Sequence, residues 1–193
     1  MIDLKEQQLA YRRRAEGFLF LAGFAACIPL ANWLIQHVGT TCVPNGPCLV
    51  PVAPGLSAPS GVLMVGLALV LRDLVQRRLG FSWSVGAILA GAALSAAIAP
   101  PALIMASAAA FLLSELADLF VYTPLQRRRF VVAAVASSLV GVVVDSLVFL
   151  YLAFGSLQFL AGQVVGKAWM VAAAIPLLWW LRARDERLGL KPV

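Results

Sequence analysis

The sequence predicts an all-α integral membrane protein with six transmembrane helices and both termini in the cytoplasm. Hydrophobic residues make up 62% of the 193 residues, charged residues make up 12%, and the mean hydropathy is +0.91. A soluble domain of this length carries more charge. Most Lys and Arg residues stand in short groups beside long apolar stretches, which marks the cytoplasmic side of membrane proteins. The basic composition therefore reflects topology, and nucleic-acid binding is not expected.

The N-terminal part predicts a cytoplasmic lead-in followed by the first membrane span. Residues 1–16 are polar and basic, and residues 17–36 are apolar over a length that can cross a bilayer. We expect Pro29 to introduce a mild kink and Cys27 to act as a small hydrophobic residue. No small-residue cleavage site ends the apolar stretch, so a cleaved signal peptide is not expected.

Residues 37–60 are expected to form an external loop, because they are rich in Gly and Pro and contain no Lys or Arg. The proline content argues against a regular strand or helix and favours a lid or a re-entrant element. Cys42 and Cys48 can form a disulfide in an oxidising compartment, but their spacing alone leaves this open. His37, the single histidine, is interpreted as an interfacial residue.

The other five spans complete one predicted six-helix domain over residues 1–193. Pro100 and Pro101 divide an uncharged stretch in two, and the Ala, Gly and Ser residues on either side allow close helix packing. Trp179 and Trp180 are expected to anchor the last span at the interface, ahead of a cytoplasmic tail at 182–193. The predicted spans are 61–76, 83–99, 102–123, 131–154 and 160–181.

Polar residues share one helical face at the inner end of the fourth span. Glu115, Asp118 and Tyr122 recur at helical spacing in the stretch SELADLFVYTPLQRRR. Counted back from the three arginines at about 1.5 Å per residue, Glu115 lies roughly 18 Å and Asp118 roughly 14 Å inside the membrane edge. A carboxylate at such a depth costs about 2.5 kcal/mol or more on insertion scales, so these side chains are expected to face the bundle interior.

The same depth count predicts a partner for the single lysine of the sixth span. Asp145 lies roughly 24 Å and Lys167 roughly 22 Å from the basic edge, on consecutive antiparallel spans. An ion pair between them is therefore expected, with Gln163 one turn away from the lysine. Arg72 and Asp73 lie at roughly 6–8 Å, which predicts a second polar layer at the level of the inner polar residues of the fourth span.

Alternative interpretations of these charges remain open. A buried ion pair can do no more than fix helix register, and Arg72 can extend to the interface. The sequence contains no nucleophile elbow, zinc-protease motif or phosphate loop, so an enzyme and a cofactor are not expected. A metal site formed by Glu115, Asp118 and Asp145 is conceivable, but the nearby Lys167 works against it.

Four segments resemble the queuosine-precursor transporter family, also called the VUT family. They are LRDLVQRRLG (71–80), SELADLFVYTPLQRR (114–128), SSLVGVVVDSLVFLYLAF (137–154) and QVVGKAW (163–169). The resemblance implies a six-helix bundle similar to the S components of energy-coupling-factor importers. It also implies uptake of the 7-deazaguanines preQ0 and preQ1 across the cell inner membrane. The family's functional positions match Asp73, Asp118, Ser138, Asp145 and Lys167.

The expected ligand is a deazapurine nucleobase, and the surroundings are membrane lipid. Arg72 departs from the family, which has a small polar residue at this position. A vitamin-type binding subunit that requires an ATPase partner is one alternative, for which Ala22 and Ala26 supply small-residue spacing. A non-transport scaffold is another, and a homo-oligomer or an unidentified energising partner is compatible with each. The candidate substrate-binding residues are Arg72, Asp73, Glu115, Asp118, Tyr122, Ser138, Asp145, Gln163 and Lys167.

Overall fold

The computed structural model describes residues 4–43 and 47–190, which form six long α-helices and one small β-sheet. The helices are α1 Leu4–His37, α2 Val62–Leu79, α3 Phe81–Ile98, α4 Ile104–Leu125, α5 Phe130–Phe154 and α6 Leu160–Leu188. The strands β1 Thr41–Cys42, β2 Cys48–Ala53 and β3 Leu56–Pro59 lie between α1 and α2, and a 3-10 turn at Pro101–Leu103 precedes α4. Parts of the predicted lead-in (1–3), external loop (44–46) and tail (191–193) lie outside the described residues.

Five of these helices, all except α2, are long and apolar enough to cross a membrane. The helix α2 carries Arg72, Asp73, Arg77 and Arg78, and all four are buried. It packs against each of the other five helices, which shield its charges from the surroundings. The predicted all-α, multi-pass membrane protein is therefore confirmed, whereas the count of six spans and the cytoplasmic termini stay predictions.

The polarity of the bundle is the reverse of that in a soluble protein. Arg72, Arg78 and Lys167 are among its largest fully buried side chains. Large apolar side chains such as Met105 and Phe120 are 78% and 77% exposed. Exposed apolar area of this kind is stable in contact with lipid, where buried polar groups must find partners inside the bundle.

The first and last helices extend beyond the predicted spans. The helix α1 has 34 residues and is therefore about 51 Å long, against roughly 30 Å for the hydrocarbon core. Most of the predicted lead-in continues the first span as a helix, and Pro29 lies within α1 without ending it. Similarly, α6 runs to Leu188 and takes in the first part of the predicted tail.

The expectation that residues 37–60 lack regular strands is wrong, because they include a three-stranded antiparallel sheet with β2 in the centre. Proline is tolerated here because β1 pairs only with Cys48 and Leu49, so Pro51 has one neighbouring strand. The pairing with β3 is also irregular between Pro51 and Ala53. The sheet packs on α1 and α6.

The two ends of the bundle differ in chemistry. We call the end that carries the β-sheet the sheet end. At this end Cys42 and Cys48 form a disulfide, and the Trp169 indole Nε1 donates to the carbonyl of Val52 at 2.8 Å. The opposite end, the arginine end, carries Arg77, Arg78, Arg127, Arg128, Arg129, Arg182 and Arg184.

A close contact between α2 and α6 sets the position of the intramembrane lysine. A side chain on Gly66 would collide with the backbone of Lys167, so only glycine allows the helices to approach this closely. An apolar cluster that includes Leu69, Leu74 and Leu178 packs around the same helices. This packing places Lys167 inside the bundle, next to α5.

Candidate functional site

Buried polar side chains of α2, α4, α5 and α6 form two clusters in the middle of the bundle. The upper cluster, nearer the sheet end, consists of Asp145, Ser146, Gln163 and Lys167. The lower cluster consists of Arg72, Asp73, Gln76, Glu115, Asp118 and Ser137.

The upper cluster is organised by the ammonium group of Lys167. Its Nζ donates to Asp145 Oδ2 at 2.6 Å, to Gln163 Oε1 at 2.6 Å and to Ser146 Oγ at 2.8 Å. An ammonium group has three hydrogens, so each of them has an acceptor. The predicted ion pair between Asp145 and Lys167 is therefore present, and Lys167 is only 1% exposed.

The lower cluster places one guanidinium group among three carboxylates. Arg72 Nε donates to Glu115 Oε2 at 3.0 Å, and Nη2 donates to Asp118 Oδ1. Arg72 Nη1 lies 2.9 Å from Asp73 Oδ1 and donates to Gln76 Oε1 at 3.2 Å. The alternative in which Arg72 extends to the interface is wrong, because its side chain is fully buried and paired.

Hydroxyl and amide groups continue the lower cluster. The Ser137 hydroxyl donates to Asp73 Oδ2 at 2.8 Å, and Gln76 Nε2 donates to Thr123 Oγ1 at 3.0 Å. Among the described residues, the buried hydroxyls of Tyr122 and Ser138 have no hydrogen-bond partner. These polar groups lead from the cluster toward the arginine end.

A cavity of about 110 Å³ lies between the six helices and reaches the upper cluster. A single water molecule needs about 10–15 Å³ of such space, so the cavity has room for several waters or a small bicyclic molecule. Among the candidate residues, those on its wall are Glu115, Asp145, Gln163 and Lys167. The candidates that do not line it are Arg72, Asp73, Asp118, Tyr122 and Ser138.

Glu115 connects the cavity with the lower cluster. It lines the cavity together with Asp145 and Lys167, and its Oε2 accepts the Nε hydrogen of Arg72. Although Glu115 lines the same cavity as the upper cluster, its charge partner is the arginine of the lower cluster. A change in the protonation or position of Glu115 at the cavity wall can therefore affect Arg72 and the carboxylates that it holds.

Several residues of the site were not selected from the sequence. Ser146 directly follows Asp145, and its contact with Lys167 could have been inferred from the position of the aspartate. Asn32 lines the cavity from α1, where an amide in an otherwise apolar span is a detectable signal. Phe111 and Phe149 also line it, but aromatic residues are too common in membrane spans to be singled out.

A separate group of ion pairs closes the arginine end. Asp185 accepts from Arg77 Nη2 at 3.0 Å and from Arg78 Nη2 at 2.8 Å. Glu16 accepts from Arg78 Nε at 2.8 Å and from Arg184 Nη2 at 2.6 Å. These arginines serve in the sequence as topology markers, yet they also join α1, α2 and α6.

Within residues 4–43 and 47–190, no group of three or more His, Cys, Asp or Glu side chains could hold a metal ion. Three carboxylates do meet in the lower cluster, but the position between them is taken by the guanidinium group of Arg72. The geometry is thus that of a cation-filled ionic cluster, with a separate cavity suited to an organic molecule.

Residues 98–181 match the family model described as "Putative vitamin uptake transporter". The match covers α4 and α5 and most of α6, and it includes the carboxylates and the lysine that line the cavity. Comparisons with curated proteins and with solved structures find no match to the chain. The family match, together with the apolar helices, supports a multi-pass membrane transporter that takes up a small molecule.

Proposed function

We propose that the protein imports a queuosine precursor, preQ0 or preQ1, across the cell inner membrane. The observation that carries the proposal is the cavity, which combines a charged polar edge with apolar walls inside a bundle of membrane helices. Sites for small molecules commonly have this composition, with a few placed polar groups that fix orientation. The substrate class comes from the resemblance of the buried-charge segments to the queuosine-precursor transporters.

The polar edge of the cavity suits the edge of a deazaguanine. This heterocycle presents an exocyclic amine and ring N–H groups as donors and a carbonyl as acceptor. Asp145 and Glu115 can accept from the donors, while Gln163 or Lys167 can donate to the carbonyl. Each hydrogen bond to a charged group is worth about 1.5–3 kcal/mol net, enough to select a base with this pattern.

The apolar walls suit the two faces of a planar ring system. Ile28 and Val62 line the cavity from α1 and α2, and Phe111 and Phe149 line it from α4 and α5. Aromatic side chains stack with heterocycles at close range. Pro59 and Gly61 lie at the sheet end of the cavity wall, and in this proposal the substrate enters from that side.

Uptake of labelled preQ1 tests the proposal in cells that cannot make this precursor. Expression of the protein is expected to cause accumulation of label, and the double variant Asp145→Asn/Lys167→Met is expected to reduce uptake at least tenfold. That factor corresponds to the loss of about 1.4 kcal/mol, less than one charged hydrogen bond. The control is Glu186→Gln, because Glu186 forms an exposed ion pair with Arg182. Undiminished uptake by the double variant would show that Asp145 and Lys167 do not form the substrate-binding site.

A second candidate function is a vitamin-binding subunit that depends on an ATPase partner. It is favoured by the description of the matching family model, which names vitamin uptake. Reconstitution into liposomes separates the two functions, because only an autonomous transporter accumulates label without a partner and ATP.

A thermal-shift screen with preQ0, preQ1, queuine, guanine and several vitamins identifies the ligand, and the absence of any shift would favour a scaffold.

A further inference from the structure

We propose that Asp73 and Asp118 share one proton and form a proton-binding site that energises uptake. The proposal rests on the proposed transport function and deepens it, since it assigns the coupling ion. Both aspartates belong to the lower cluster and lie behind the cavity, whereas Glu115 of the same cluster is on the cavity wall.

The charge balance of the lower cluster requires a proton. One guanidinium group, that of Arg72, faces the three carboxylates of Asp73, Glu115 and Asp118, and all four side chains are at most 2% exposed. The nearby cation, Lys167, is neutralised by its own partner, Asp145. An uncompensated buried charge is strongly destabilising, so the fully ionised cluster is unfavourable. At least one carboxyl group must therefore carry a proton.

Unsatisfied oxygen atoms locate this proton on the aspartate pair. Asp73 and Asp118 are held by the same guanidinium group, Asp73 at Nη1 and Asp118 at Nη2 of Arg72, and the Ser137 hydroxyl donates to Asp73 Oδ2. Within the described part of the chain, Asp118 Oδ2 is buried without a donor, and Asp73 Oδ1 lies at ion-pair distance from Arg72 without the geometry of a hydrogen bond. A proton between the two carboxyl groups would supply the missing donor. Carboxylates in contact share one proton in this way because both cannot ionise at low cost.

Groups from three helices surround the pair and determine when it binds a proton. The helix α2 contributes Arg72, and α4 contributes Glu115 and the buried hydroxyl of Tyr122. The helix α5 contributes the Ser137 hydroxyl, and Arg77 lies further toward the arginine end. Glu115 also lines the cavity together with Asp145 of the upper cluster, which connects the pair with the cavity.

A carboxylate gives the proton access to the lower cluster. Glu115 lines the cavity and can take up a proton there, and its Oε2 is held by Arg72, which also holds both aspartates. Arg72 positions these carboxylates and does not itself pass the proton on, because a guanidinium group keeps its protons. One O–H bond forms on the pair when the proton arrives and breaks when it leaves, and no other bond changes.

The proton can drive transport because it changes the charge of the membrane interior. A protonated pair lowers the net negative charge that the bundle carries while helices around the cavity rearrange. The rearrangement that delivers substrate is therefore favoured when a proton is bound. Protons and substrate then move inward together, and for one coupled proton a gradient of one pH unit supports about tenfold accumulation.

Infrared spectroscopy of the purified protein tests the proton site without any substrate. The carbonyl stretch of a protonated aspartic acid is expected at neutral pH and should shift when aspartate is isotope-labelled. It should be lost in Asp73→Asn and in Asp118→Asn, both of which reduce the excess buried charge and preserve side-chain shape. A band that follows labelled glutamate, or no protonated carboxyl band in the wild type, would overturn the assignment.

Labelled preQ1 uptake into proteoliposomes tests the coupling. Acidification of the outside by one pH unit is expected to raise accumulation by up to about tenfold in the wild type and in Glu186→Gln. The ratio of uptake with and without the gradient should fall to about one in Asp118→Asn. A wild-type response to sodium but not to protons would refute proton coupling. If preQ1 is not transported at all, the proposed function fails, while the infrared band alone decides the proton site.

Discussion

Arg72 and Lys167 are both cations inside the bundle; the depth count predicts the partner of Lys167, but for Arg72 it predicts only the polar layer that also contains Asp118. The depth count places Lys167 level with its carboxylate because both spans end at exposed or half-buried arginines. The depth of Arg72 is counted from Arg77 and Arg78, which are themselves buried and paired inside the bundle. Arg77 and Arg78 therefore do not mark an exposed edge of the bundle, and a count from them does not predict that Arg72 reaches Glu115.

The Asp145–Lys167 pair yields a prediction about residue coupling. Asp145→Asn or Lys167→Met alone is expected to destabilise the protein by about 3–5 kcal/mol, because each leaves a buried partner uncompensated. The double variant should cost clearly less than the sum of the two. Chemical denaturation in detergent of the wild type, both single variants and the double variant measures the coupling free energy. Strictly additive losses would mean that the two side chains do not interact.

At the scale of elements, the helices are predictable and the sheet is not. Long apolar runs broken by Pro100 and Pro101 define α2 to α5 to within a few residues, since each helix must satisfy its own backbone groups in lipid, whereas α1 and α6 extend beyond their apolar spans. The sheet between α1 and α2 depends on a register between short segments and on a disulfide, neither of which has a local signal. The helix α2 is predicted as a span over 61–76, yet with four charged residues it is not among the five helices apolar enough to cross a membrane.

The arginine end of α2 yields a prediction about how elements are joined. Asp185→Asn is expected to lower the free energy of unfolding by about 3–5 kcal/mol, because Asp185 is the shared acceptor of the buried Arg77 and Arg78. The neighbouring Glu186→Gln is the matched control, with an expected loss of at most about 0.5 kcal/mol for an exposed i,i+4 pair. Thermal melts of both variants in detergent provide the comparison. Equal losses would show that burial at Asp185 adds nothing.

Considered as a whole molecule, the bundle separates a disulfide-linked sheet from a ring of arginines. Lys and Arg favour the cytoplasmic side of a membrane, and disulfides persist in oxidising compartments outside it. The two criteria are independent, and both predict that the sheet end faces outward. The cavity contacts residues of the sheet end such as Pro59, so the same orientation directs the proposed entry of substrate.

Thiol labelling of intact cells tests this orientation. In a Cys27→Ala background, a membrane-impermeant maleimide is expected to label Cys42 and Cys48 after mild reduction, because the sheet end is predicted to face outward. A single cysteine at the other end, introduced as Arg128→Cys with the native cysteines replaced, should react only after the cells are permeabilised. Arg128 is exposed, so its access depends on which side of the membrane it occupies and not on burial. The reverse pattern would place the arginine end outside, and inward transport would then have to begin from that end.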